Sequence, residues 1–173
     1  MNDQRKPLAQ INDSDIWLHF EEFESIMHYA AKAVVIDEDD KIAVLYSKKY
    51  WWYELPWWHM DEGETIEQAL IRECQEEIWC DVEIIHKIGM IIEQRYREQY
   101  KKTSYYCICK VIGQKWLPHL LEWEVDQELE TRRIGKNKLH NMFQQKTSDD
   151  KERIFCQLRD SFVIEEFIWS MNS

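Results

Sequence analysis

Residues 55–84 read LPWWHMDEGETIEQALIRECQEEIWCDVEI, and they carry most of what the chain says about itself. Thr65 and Gln68 form a helix start, in which the threonine hydroxyl caps a free amide while the glutamine side chain reaches back. From Ile66 to about Ile78 there is no Gly, Pro or run of β-branched residues, so the spacing predicts a helix of roughly three and a half turns. At 100° per residue, with Arg72 at zero, Glu76, Glu73 and Glu77 fall at roughly 40°, 100° and 140°. Leu70, Cys74, Ile78 and Ile71 fall between roughly 160° and 260°. One side is apolar and suited to burial against a sheet, and the neighbouring side carries three carboxylates and one guanidinium.

Three carboxylates within two turns repel each other unless a cation sits among them. A divalent cation that prefers oxygen ligands, Mg²⁺ above all, turns that repulsion into binding. The plainer account is a solvated acidic face, since E-x-x-E-E runs are common. The surroundings favour the first account. A strand-like Tyr53-Glu54-Leu55 ends at Pro56, and a loop with Asp61, Glu62, Gly63 and Glu64 leads into the helix. These are the parts needed to hold metal-bound phosphates. One histidine, His59, beside four acids argues against a zinc site with histidine ligands.

The stretch resembles the signature box of the Nudix hydrolases, G-x5-E-x7-R-E-U-x-E-E-x-G-U, where U is bulky and apolar. Glu64, Arg72, Glu73, Cys74, Glu76, Glu77 and Cys80 occupy its places in register. Both box glycines are tryptophan, Trp58 and Trp79, and Trp57 stands where a preceding glycine is usual. The resemblance implies an α/β (α+β) fold, a mixed sheet sandwiched between helices. It also implies Mg²⁺-dependent hydrolysis, with Mn²⁺ as a substitute ion. The bond cut is the pyrophosphate of a nucleoside diphosphate linked to another group, as in a nucleotide sugar, a dinucleotide polyphosphate or a nucleoside triphosphate.

By the same resemblance Glu76 and Glu77 ligate metal, Glu73 ligates or acts as base, and Glu64 contributes through the loop or water. The backbone oxygen of Trp57 is a further ligand, and Arg72 orients the glutamates by paired hydrogen bonds. A carboxylate from a later loop often completes such a site, and Glu122 is the candidate. Tyr96, sixteen residues beyond Cys80, matches a tyrosine associated with substrate in hydrolases of diadenosine polyphosphates. The indoles of Trp57 and Trp58 stand where the family backbone comes close to metal and phosphate. That implies a rival function, a catalytically impaired module that binds a nucleotide or a protein.

Composition bounds the rest. A chain of 173 residues, 45% hydrophobic, suits one domain, read as 28–173 with residues 1–27 packed on it. A formal charge of −11 repels a nucleic-acid backbone but admits a small nucleotide that arrives with metal. Five cysteines without a C-x-x-C pair, and an N-terminus without a signal pattern, predict free thiols in a reducing cytoplasm. No apolar run approaches the ~20 residues that span a bilayer, so a soluble protein without a membrane partner is expected. Many family members pair as homodimers, so the resemblance admits a homodimer, while the residues themselves leave the oligomeric state open.

Along the chain, Ile16, Trp17, Phe20 and Phe23 suggest a short amphipathic segment. Residues 28–36 and 41–46 read as a hairpin around Asp37-Glu38-Asp39-Asp40. Lys48 and Tyr53 offer a cation and a stacking face to an anionic nucleotide, or else a surface lysine and a core aromatic. Residues 82–93 read as a strand with a bulge at Gly89, and 103–112 as its partner, with a solvated tip holding Arg95, Arg97, Lys101 and Lys102. A strand at 128–134, a helix at 136–143 and a final amphipathic helix follow. The last is marked by Ile154, Phe155, Leu158, Phe162, Val163 and Phe167, with Trp169 finishing its core.

Overall fold

The computed structural model describes residues 6–16, 18, 24, 26–61, 63–78, 80–115, 128–144 and 150–172, with the side chains of 58, 59, 77, 114, 115 and 172 left aside. Its strands are β1 (Ala9–Asn12), β2 (Ile26–Ile36), β3 (Lys41–Ser47), β4 (Trp52–Glu54), β5 (Trp57–His59), β6 (Cys80–Arg95), β7 (Tyr100–Lys115) and β8 (Leu129–Gly135). The helices are α1 (Ile66–Glu77), α2 (Lys136–Gln144) and α3 (Lys151–Asn172).

The strands form one mixed sheet in the order β1-β6-β7-β2-β3-β4, with β5 beside β2 and β8 beside β3. β2 and β3 make the expected hairpin, whose turn is closed by Asp37 accepting from the amides of Asp39 and Lys41 at 2.9 Å each. β6 and β7 pair antiparallel over nearly their full length, and the register slips between Lys87 and Gly89 as the bulge requires. Gly89 lies at φ +154°, and a Cβ there would sit 3.0 Å from Leu8, so the glycine also admits the N-terminal segment.

Alternation in the strands builds two cores. Ala31, Ala33 and Val35 of β2, with Ala43, Leu45, Cys107 and Cys109, pack under Ala69, Leu70, Cys74 and Ile78 of α1. Val34 and Ile36, with Ile42, Val44 and Ile108, face Phe155, Val163 and Phe167 of α3 and Leu139 of α2. The sheet is thus sandwiched between α1 and the α2–α3 pair, the mixed α/β architecture expected. All five cysteines are free and buried.

Four details differ from the expectations. Residues 9–12 form a parallel edge strand on β6, and a 3-10 turn at Asp13–Ile16 buries Ile16. Trp17, Phe20 and Phe23 lie outside the described residues. The solvated tip shrinks to 97–99, because β6 and β7 run on and carry Arg95 and Lys102 inward, and Tyr96 is buried beside them. Trp169 is 66% exposed and Phe162 is also exposed. At 100° per residue the buried arc of α3 is centred near Val163 and Cys156, so Phe162 falls at its margin and Trp169 beyond it. Ile71 likewise stands exposed at the edge of the α1 arc.

Candidate active site

The loop after β5 turns at Gly63, whose φ of +83° favours a residue without a Cβ. Glu64 then ties the loop together. Its amide donates to the Asp61 carbonyl at 3.1 Å, and its carboxylate accepts from the Asp61 amide at 3.0 Å. The helix start is the predicted capping box: Gln68 N–H donates to Thr65 Oγ1 at 3.2 Å, and Thr65 N–H to Gln68 Oε1 at 2.9 Å.

With loop and helix fixed, the Arg72 guanidinium lies among the acids. Its Nε and Nη2 donate to the two oxygens of Glu64 at 2.9 and 3.0 Å, a bidentate clasp across eight residues. Nη1 bonds Glu73 and stands 3.7 Å from Glu76, one turn on, while Nη2 is 3.8 Å from Asp61. The clasp with Arg72 holds the Glu64 carboxyl below its ordinary value, with the amide of Asp61 assisting. Burial pushes Glu73 up, and Arg72 only partly offsets it. Four carboxylates around one guanidinium leave a strongly negative site.

Among the described residues no three Asp, Glu, His or Cys side chains converge as a metal cage. The donors are nevertheless all hard oxygens, which suits Mg²⁺. That ion takes one or two carboxylates and completes its shell with water and phosphate. Glu122, Trp79 and the side chain of Glu77 lie outside the described residues.

The remaining candidates sit elsewhere. Lys48 pairs with Glu130 at 2.7 Å, and Tyr53 packs with its ring tilted against Tyr46 and accepts from Arg132 at 2.6 Å. Among the described residues no hydrogen bond or ion pair joins Lys48 or Tyr53 to the Arg72 cluster. Tyr96 is buried, its amide donating to Asp13 at 2.7 Å. Trp57 pairs with Lys32 across β5 and β2, which turns its indole toward α3, under the Lys102 ammonium at 4.0 Å. Its ring therefore leaves the α1 side of the sheet, contrary to the expectation that it fills the space beside the phosphates.

A sequence model of the NUDIX domain matches residues 27–153. The chain belongs to the NUDIX family. This NUDIX domain shares its fold with a NUDIX hydrolase from Nitrosomonas europaea, at TM-score 0.58 and 14% identity over 84% of this chain and 90% of that one. It is similar to the MutT protein from Methanosarcina mazei Go1, at TM-score 0.59 and 15% identity over 88% and 100%. A UDP-X diphosphatase aligns at TM-score 0.58 and 12% identity over 91% and 70%. No curated protein sequence matches.

Behind the NUDIX box lies a buried charge network that sequence reasoning missed. Lys32 on β2 donates to both oxygens of Asp160 on α3 at 2.9 and 3.1 Å, and both residues are fully buried. Asp160 also accepts from the Leu55 amide at 2.9 Å and the Tyr106 hydroxyl at 3.2 Å. Arg159 bridges Asp160 to Glu93 at 3.3 and 2.9 Å, and Arg95 closes on Glu93. The bond to Leu55 fixes the backbone two residues before Trp57. The missed signal was charge at core periodicity, Lys32 between Ala30 and Val34 and the Arg159-Asp160 pair inside the apolar arc of α3.

Two neighbours of this network give it a pH dependence. Burial pushes Glu54 up to about 7, with Lys32 the chief opposing charge. Burial, reinforced by Arg159 and Lys32, brings Lys102 down to about 7. From pH 4.5 to about 7, folded Glu54 keeps a proton that the unfolded chain has released, so stability falls as pH rises. From about 7 to 10.5, folded Lys102 lacks a proton that the unfolded chain still holds, so stability rises. Together these two groups place a minimum near neutrality. Glu54→Gln is expected to remove the decline on the acid side, on the order of 3 kcal/mol. Urea unfolding of both proteins at about pH 5 and pH 7 checks this, and an unchanged decline in the variant rejects it.

Proposed function

We propose that the chain is a Mg²⁺-dependent hydrolase that splits the pyrophosphate of a nucleoside diphosphate linked to another group. A nucleotide sugar, a dinucleotide polyphosphate and a nucleoside triphosphate all offer that bond. The observation that carries this reading is the Arg72 clasp, one guanidinium holding Glu64 and Glu73 with Glu76 close by, on a capped helix in box register.

Glu73, Glu76 and Glu77, with the Trp57 carbonyl oxygen, would hold the ion. When bound, the ion supplies charge neutralisation on the phosphates and a lowered pKa for water. Arg72 is the positioning residue: its fork fixes the rotamers of Glu64 and Glu73, so the acids meet an incoming cation already oriented. Glu64 braces the loop through Asp61, and Glu122 is proposed as the acid from the segment beyond β7. The five buried free thiols accord with a reducing cytoplasm, and no described helix is long and apolar enough to cross a membrane.

The test is nucleotide release from a panel of nucleotide sugars, dinucleotides and nucleoside triphosphates with Mg²⁺, beside Glu77→Gln. Hydrolysis by the parent and its loss in the variant are expected. Tight binding without turnover would overturn the hydrolase reading in favour of a binding module.

A further inference from the structure

On the α1 side of the sheet, β8 carries a cation at the rim beside β3. Arg133 pairs with Ala43 of β3, and Ala43 belongs to the core beneath α1, so the two side chains share that face. Ile134, next along, faces the α3 core instead. Arg133 Nη1 is buried, and it has no hydrogen-bond partner among the described residues. Its neighbour Arg132, on the opposite face, is engaged by Glu130 and the Tyr53 hydroxyl. A donor removed from water without an acceptor costs stability, so the idle N–H of Arg133 needs a reason.

The lie of α1 supplies one. Gln75 donates to Asp81 at 2.8 Å and Lys87 bonds Glu67, which fastens one flank of the helix to β6. With Arg72 again at zero, Glu67 and Gln75 stand at roughly 220° and 300°. The opposite flank, centred near roughly 80°, holds Glu73 and Glu76 and points across β2 toward β3 and β8. The level matches as well. Lys87 lies opposite Cys107 and Asp81 opposite Ile112, so the stretch of α1 from Glu67 to Gln75 passes the level of Cys109. Cys109, Val35, Ala43 and Arg133 are successive partners in one row across the sheet. At about 4.8 Å between neighbouring strands, β8 stands roughly 10 Å beyond β2. Arg133 and the acids therefore flank one gap.

The chemistry of its two walls selects the occupant. Arg72 is already bonded to Glu64 and Glu73, and the acids by themselves repel an anion. A second guanidinium on the far wall offsets that repulsion and offers an N–H to an oxygen. Phosphate, with several charged oxygens, is the group that suits both a guanidinium and carboxylates loaded with a divalent cation.

We propose that Arg133 is a substrate-binding residue whose Nη1 donates to a phosphate oxygen of the substrate in this gap. The assignment rests on the substrate carrying a pyrophosphate, but its test needs no turnover. Titration calorimetry follows the binding of imidodiphosphate, a pyrophosphate analogue with nitrogen in place of the bridging oxygen, to the full chain with Mg²⁺. Arg133→Met is expected to weaken this binding at least about tenfold. Arg133→Lys, which keeps the charge but not the fork, is expected to recover part of the loss. Because the donor has no partner to lose, the melting temperature of Arg133→Met is expected to match or exceed that of the parent.

Parent-like affinity in Arg133→Met, or no binding of imidodiphosphate by the parent, would overturn the assignment. So would a melting temperature lowered by more than about 5 °C, which gives the guanidinium to the scaffold. Weakened binding in the variant beside a parent that hydrolyses nothing upholds the phosphate contact and removes the hydrolase reading. Hydrolysis by the parent with unchanged affinity in the variant does the reverse.

Discussion

Glu76→Gln is expected to lower kcat/KM for Mg²⁺-dependent hydrolysis by about 10²–10³-fold while barely changing stability. The carboxylate is 55% exposed, and the Arg72 guanidinium stands 3.7 Å away. An exposed pair of that kind contributes about 0–1 kcal/mol to folding. Toward a bound cation the same side chain supplies a full negative charge that an amide does not. Steady-state rates across a Mg²⁺ titration, with melting curves of both proteins, separate the two effects. Parent-like turnover in the variant would remove the acidic face of α1 from the chemistry. A large drop in melting temperature would instead assign Glu76 to the scaffold.

Asp160→Ala is expected to destabilise the fold by about 3–5 kcal/mol. The loss strands the Lys32 ammonium in a dry interior and deprives the Leu55 amide and Tyr106 hydroxyl of their acceptor. Against a total of about 5–15 kcal/mol, that is enough to bring part of the population to the unfolded state. Burial raises the Asp160 carboxyl, but Lys32 and Arg159 outweigh it and hold the group below its ordinary value. Its stabilisation is therefore present above the usual carboxylate range and is lost as pH falls through the folded value. Replacing both partners, Lys32→Met with Asp160→Leu, is expected to cost less than the single change, because no unpaired charge remains. Chemical unfolding of the three proteins decides, and a single-variant cost under about 1 kcal/mol would refute the account.

The parts of the fold that were legible are those set by local rules. The α1 start follows from Thr65 and Gln68 alone, and its burial from a 3.6-residue spacing. The β2–β3 turn and the Gly89 bulge follow from acid-rich and glycine signals. What was not legible depends on partners far away in the chain. The β1 segment AQIN gains strand form only from its parallel neighbour at Ile91–Gln94. Lys32, Glu93 and Arg159 are residue types of the surface, and only pairing across the sheet and α3 takes them inside.

The candidate site divides in the same way. Box spacing places Arg72 and its acids within a loop and two helical turns, and the guanidinium contacts Glu64 and Glu73 there. The direction of the Trp57 indole was not readable, since its pairing with Lys32 sets it. Lys48 and Tyr53 looked available to a nucleotide by residue type, yet Glu130 and Arg132, on a strand far along the chain, engage them.

The family match stops at residue 153, whereas the acid that neutralises Lys32 is Asp160 on the helix that continues to Asn172. Trimming the gene to the matched span would delete the carboxylate that anchors the strand just ahead of the box. Expression boundaries for this protein therefore belong after α3, and a shortened product that proved inert would report on a missing keystone and not on the chemistry of the acids.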